Sequence, residues 1–308
     1  MRDSLDREVL KGVSRSFYLS LRMLPRPMRG GASLAYLLAR TSDTLADTEG
    51  VSASVRLDCL ARWRALLCGG SGVVDWPAEL LDAVVAPRER LLLDRYGELL
   101  RWLSEISENE RMLIRELLEI IIGGQALDLE RFADASAENP VALADAAALD
   151  DYAWRVAGCV GAFWTKLGFL TLGDGFSDCG EFDLLERGVA YGKGLQLVNI
   201  LRDLPADLAA GRCYLPVARP EDRAALLASH AVGCVQAQAW VAEGEKYANS
   251  LHSRRLRAAS VLPALIAQET LESMRGMSWE GLRARVKIPR RRVYSLIIKA
   301  FVGFPYDK

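Results

Sequence analysis

The chain has 308 residues, 51% of them hydrophobic and 26% charged, enough apolar material to bury a large core and too much for a disordered chain. Its 39 basic and 40 acidic residues leave a net charge of −1, which excludes a protein whose main task is coating nucleic acid. Six cysteines without a CxxC pair and only two histidines, His230 and His252, exclude a zinc site of ordinary spacing and fit reduced, mostly buried thiols in a cytoplasmic protein.

At the N-terminus, Met1 to Glu8 carries acids where a secretory signal needs a basic start and an apolar run, so export is not expected. Apolar residues then recur at three- and four-residue intervals, as in Leu99, Leu100, Leu103 and Ile106, then Met112, Leu113, Leu117, Ile120 and Ile121. Period-two alternation is scarce, and the pattern predicts an all-α protein. Breaks are expected at Pro25-Arg26-Pro27, Cys68 to Gly72, Glu138-Asn139-Pro140, Gly173-Asp174-Gly175, Gly211 to Pro216 and Arg219-Pro220. None has the length of a flexible linker, so a single domain over residues 1–308 is expected. The near-apolar stretch Val156 to Gly173 is interrupted by Lys166 and rich in glycine, which favours a buried helix over a membrane span. Within it, Gly158 and Gly161 predict close helix packing, or room for a chain in a cavity, rather than a nucleotide loop. Gly188 to Gly194 falls short of a phosphate-binding loop, having Gly where Ser or Thr is required.

Three Asp-x-x-x-Asp pairs occur: Asp43/Asp47, Asp174/Asp178 and Asp203/Asp207. Asp174/Asp178 lies among glycine and serine and reads as a solvated turn. The other two extend into longer polar stripes within apolar helical runs. Tyr36, Arg40, Asp43 and Asp47 fall at offsets 0, 4, 7 and 11, and Gln196, Asn199, Asp203 and Asp207 at 0, 3, 7 and 11, each following one helix face. Polar groups along an otherwise apolar helix need partners, a metal or a polar ligand. One reading of each stripe is an internal ion-pair network; the other is a pair of carboxylate sites for a hard cation such as Mg2+, completed by phosphate oxygens. Arg40, Arg202 and Arg212 are placed to bind those oxygens. Pro205, between Asp203 and Asp207, predicts a kink or a helix end there.

Ser14-Arg15-Ser16-Phe17, Tyr36-x-x-x-Arg40-x-x-Asp43-Thr44-Leu45-Ala46-Asp47, Tyr152 to Gly161, and Gln196 to Asp207 with Gly211-Arg212-Cys213-Tyr214-Leu215-Pro216 together resemble the squalene and phytoene synthase family, in family order. The resemblance implies the isoprenoid synthase fold, with a central cavity between two aspartate-bearing helices. It implies that Asp43, Asp47, Asp203 and Asp207 bind Mg2+ with Asn199, and that Ser14, Arg15, Ser16, Phe17, Tyr36, Arg40, Gln196, Arg202, Arg212 and Tyr214 contact substrate. Tyr152 would take part in ionisation. Within the family the motifs look closer to squalene-forming members, which join two farnesyl diphosphates through presqualene diphosphate and reduce the product with NADPH. Dehydrosqualene or phytoene formation without reduction, or a single presqualene diphosphate step of a split pathway, are the alternatives. The chemistry suits the residues, because a departing diphosphate needs Mg2+ and arginines while aromatic faces can stabilise an allylic cation. Without a hydrophobic anchor before Lys308, the expectation is a soluble bacterial-type enzyme. Six basic residues between Arg283 and Arg292, followed by the apolar Val293 to Phe304, read as a solvated helix end and its neighbour. Peripheral contact with an anionic membrane is the functional alternative.

Overall fold

A computed structural model describes residues 5–14, 17–70 and 72–302, with the side chains of Asp6, Arg7, Ser14, Phe17 and Leu19 outside it. Helices dominate, as the periodicity predicts. They are α1 (Lys11–Ser14), α2 (Phe17–Met23), α3 (Arg26–Asp47), α4 (Ala53–Leu67), α5 (Ala78–Ala83), α6 (Pro87–Asp94), α7 (Tyr96–Glu105), α8 (Glu108–Arg131), α9 (Ala146–Ala153), α10 (Cys159–Leu172), α11 (Glu181–Ala209), α12 (Arg223–Asn249), α13 (Arg254–Met274), α14 (Trp279–Arg283) and α15 (Arg290–Val302). A π-helical segment, Trp154–Gly158, joins α9 to α10. The predicted breaks all coincide with helix ends. Pro25 precedes α3 and Pro27 lies in its first turn, where the missing N–H is no loss.

By contacts the chain falls into two compact units, residues 1–133 with 166–173, and residues 134–165 with 174–308. In the first, α3 packs on α8, α4 and α7 through fully buried Leu34, Leu37, Leu38 and Leu45. Trp63 of α4 donates from its indole N–H to the Leu38 carbonyl at 3.3 Å and meets Trp76 and Tyr96 edge-on, so a large aromatic ring is buried with its polar atom satisfied. On α3, Thr41 and Thr44 bond back to the carbonyls of Leu37 and Arg40, which lets hydroxyls sit in the core.

In the second unit the 29-residue α11 packs on α12, α13 and the Trp154–Gly158 segment. Its glycines make this possible: a Cβ on Gly161 would lie 1.9 Å from the Gly188 carbonyl oxygen, and one on Gly192 would lie 2.3 Å from that of Ala157. The Gly188–Gly194 segment is thus a packing surface. Composite helix 146–175 is long and apolar enough to cross a membrane, with 39% of its most apolar window buried, yet Gly158 and Gly161 within it serve helix contact as expected. Two short strands that periodicity could not announce, β1 (Val141–Ala142) and β2 (Arg212–Cys213), pair in parallel. Three of the six free cysteines, Cys59, Cys159 and Cys213, are buried.

Candidate active site

The first stripe emerges on the one face of α3 that its neighbours leave open. Within Asp43-Thr44-Leu45-Ala46-Asp47 the three middle residues are buried, Asp43 is half-buried and Asp47 is exposed. The Asp43 carboxylate accepts a 2.8 Å hydrogen bond from the Gln125 amide of α8, and Arg40 stands 3.7 Å away. Arg40 is drawn toward a closer partner, Glu89 of α6. Burial opposes its charge, but Asp43 and Glu89 outweigh burial and raise its pKa. Tyr36 donates to the Val13 carbonyl at 3.2 Å.

Desolvation first, and the neighbouring Asp47 charge second, push the Asp43 carboxyl up to about 6, against the lowering effects of Arg40 and Gln125. The side chain nevertheless keeps 41% of its surface, so it is crowded by protein around its base and open at its mouth. A cation entering there would relieve the repulsion between the two acids.

The second stripe lies on α11. Arg202 clasps Asp203 with two guanidinium nitrogens, one at 2.9 Å and the other at 2.5 Å, and this bond raises the Arg202 pKa. Asp207 stands 3.9 Å from Arg212 of β2. Of the kink or helix end expected at Pro205, the helix end does not occur: α11 continues through Pro205 to Ala209, so Asp203 and Asp207 share one helix. Asn199 is exposed and Gln196 half-buried on the same helix. Gly211 turns the chain into β2 with φ +82, and a Cβ there would meet Ser136 backbone at 2.5 Å, so only glycine delivers Arg212 and Tyr214 to this place. The Tyr214 ring stacks on Tyr152 at 4.5 Å between centroids, uniting two residues that the motifs named separately. Tyr152 stands just before the π-helical segment, a distortion found often at functional sites.

Asp203 and Asp207 line a cavity of about 870 Å³ together with Arg202, Arg283, Arg285, Lys287 and Arg290. Much of the basic run is therefore cavity wall, and the expected solvated helix end describes it incompletely. Arg285 has φ 62, the left-handed conformation found at no other non-glycine position among the described residues. Among these residues no group of three or more Asp, Glu, His or Cys side chains forms a ready metal cage.

Sequence reasoning missed Gln125, Glu89 and the cavity role of the basic run. Gln125 and Asp128 do form a polar pair, three apart, in the otherwise apolar run Ile120 to Leu129 of α8, which is the signal that was available. Arg15 and Ser16, and the side chains of Ser14 and Phe17, lie outside the described residues.

The squalene/phytoene synthase family profile matches residues 10–292. The chain is 34% identical over 204 residues to presqualene diphosphate synthase of Rhodopseudomonas palustris, covering 66% of this chain and 59% of that protein. It is 30% identical over 292 residues to presqualene diphosphate synthase of Zymomonas mobilis, covering 89% and 84%. A solved structure of TcSQS with a ligand superposes with a TM-score of 0.76 at 24% identity, over 96% of this chain and 85% of that one, which establishes the fold.

Proposed function

The chain belongs to the squalene/phytoene synthase family, whose members are head-to-head prenyltransferases, and from that premise we propose that it joins two farnesyl diphosphates to form presqualene diphosphate with Mg2+. The observation that carries this reading is the Asp43/Asp47 pair, two carboxylates one helical turn apart at an open mouth, whose crowding and mutual repulsion a cation would relieve. The donors suit Mg2+, which takes one or two carboxylates and fills its remaining positions with water and substrate phosphate oxygens. Asp43 with Asp47, and Asp203 with Asp207 and Asn199, would hold it. When bound, Mg2+ neutralises diphosphate charge and eases its departure.

The remaining work belongs to the chain. In the first unit Arg40 would bind phosphate oxygens; in the second Arg202 and Arg212 would do so, with Arg283, Arg285, Lys287 and Arg290 from the cavity wall. Arg202, which clasps Asp203 through two guanidinium nitrogens, would turn to the substrate's phosphate oxygens when diphosphate enters. Glu89 holds Arg40, and Gln125 orients the Asp43 carboxylate. The stacked Tyr152 and Tyr214 rings offer π density to an allylic cation without a nucleophile that would trap it. Presqualene diphosphate is favoured as product by the names of the two relatives at 34% and 30% identity.

Purified protein incubated with farnesyl diphosphate and Mg2+, with and without NADPH, followed by mass identification of the extracted lipid, tests this. Presqualene diphosphate accumulating in both conditions is the expected result. Squalene appearing with NADPH extends the activity to the reduction that the sequence resemblance implies, and no consumption of farnesyl diphosphate overturns the assignment.

A further inference from the structure

We propose that α15 is a membrane-docking helix that seats the protein on an anionic lipid surface through Tyr294, Ile298, Phe301 and Val302, independently of the reaction assigned above. One face of α15 is committed to the fold. Leu296 and Ala300 are buried where the helix packs on α13, Arg292 pairs with Glu269, and Arg254 donates to the Phe301 carbonyl at 3.1 Å, so both ends are held. The opposite face carries Tyr294, Ile298, Phe301 and Val302 at offsets 0, 4, 7 and 8, and these are 64%, 63%, 41% and 75% exposed. Four large apolar side chains on one face of one helix differ from the scattered exposed apolar residues that any protein shows.

The charge around this stripe selects the partner. Residues 283–302 contain seven basic residues and no acidic one, in a chain of net charge −1, which leaves the rest of the protein at −8. Arg283, Arg285, Lys287 and Arg290 line the Asp203/Asp207 cavity, so the charges beside the stripe are Arg291 and Lys299 on α15, with Arg255 exposed at the start of α13. A second copy would set this basic segment against itself. Nucleic acid would satisfy the charges and leave the apolar side chains in water. An anionic bilayer takes both, with the apolar residues below the headgroups and the basic ones among them.

The test is flotation of the full chain with vesicles of phosphatidylcholine alone or mixed with an equal amount of phosphatidylglycerol, at low and high salt. Binding is expected on the anionic vesicles, weakened by salt, and reduced roughly tenfold in Ile298→Glu/Val302→Glu. Arg291→Glu/Lys299→Glu should lose binding to the same vesicles by charge alone. Circular dichroism and thermal unfolding of both variants check the fold, which should be unchanged because the substituted side chains are exposed. Failure of the wild type to float with anionic vesicles, equal flotation of the variants, or concentration-dependent dimerisation abolished by Ile298→Glu would each overturn the proposal.

Discussion

The Asp43 and Asp203 stripes share a spacing and differ in how protein answers their charge. Asp43 has its arginine 3.7 Å away and drawn to Glu89, a single amide bond from Gln125, and a carboxyl pushed up to about 6. Asp203 is held by Nε and Nη2 of the adjacent Arg202 in a wall rich in basic residues. An i, i+4 repeat therefore sets which face the acids share, while the groups packed around them set whether an acid meets mainly desolvation and a like charge or an arginine.

The largest expected effect comes from removing either acid. Asp43→Asn and Asp203→Asn should each lower turnover by roughly a thousandfold or more with helix content intact, measured by product formation and circular dichroism. Near-normal turnover in both would remove the shared metal-binding role. Next, Gly161→Ala should destabilise the protein by about 2–3 kcal/mol or more in urea unfolding, since its methyl would meet the Gly188 carbonyl oxygen on the helix that carries the second stripe. An unchanged midpoint would show that α11 yields without cost.

Gln125→Leu separates the stripes more finely. It deletes one hydrogen bond to the Asp43 carboxylate, so the Mg2+ concentration needed for half-maximal rate should rise about tenfold. A titration matching wild type would show that Gln125 does not orient that acid.

The pH response follows from the same contrast. Folding raises the Asp43 carboxyl from 3.8 to about 6, so the metal-free folded protein binds this proton more tightly than the unfolded chain. That contribution to stability is complete below about pH 4 and is lost as pH rises through about 6. Mg2+ binds the deprotonated form, so its stabilising effect in thermal melts should grow across this interval, and Asp43→Asn should flatten both trends. An undiminished slope in that variant would place the titration elsewhere.

The smallest effect is expected at the third Asp-x-x-x-Asp pair, which serves as the control. Asp178 is 93% exposed and pairs with His252 at 2.8 Å, so Asp178→Asn should leave turnover unaltered and shift stability by about 0.5 kcal/mol or less. A large loss of activity would mean that spacing alone outweighs environment.

Much of this was open to sequence reasoning because it is local. Three- and four-residue apolar spacing announces helices, Pro25 and the glycine clusters announce their ends, and offsets of 0, 4, 7 and 11 place Tyr36, Arg40, Asp43 and Asp47 on one face whatever surrounds it. The glycines at 158 and 161 declare close packing because few other roles suit them inside a helix.

What only the tertiary structure decided are contacts between residues distant in the chain. Gln125 reaches Asp43 across 82 positions, Glu89 diverts Arg40 across 49, and the run Arg283–Arg290 becomes the wall beside Asp203 and Asp207. Pro205 also shows the limit of local rules, since packing on α12 and α13 carries α11 past it to Ala209. The physical reason is common to all of these. Periodicity reports the geometry of one helix, whereas a carboxylate's charge depends on desolvation and on partners that other helices bring to it.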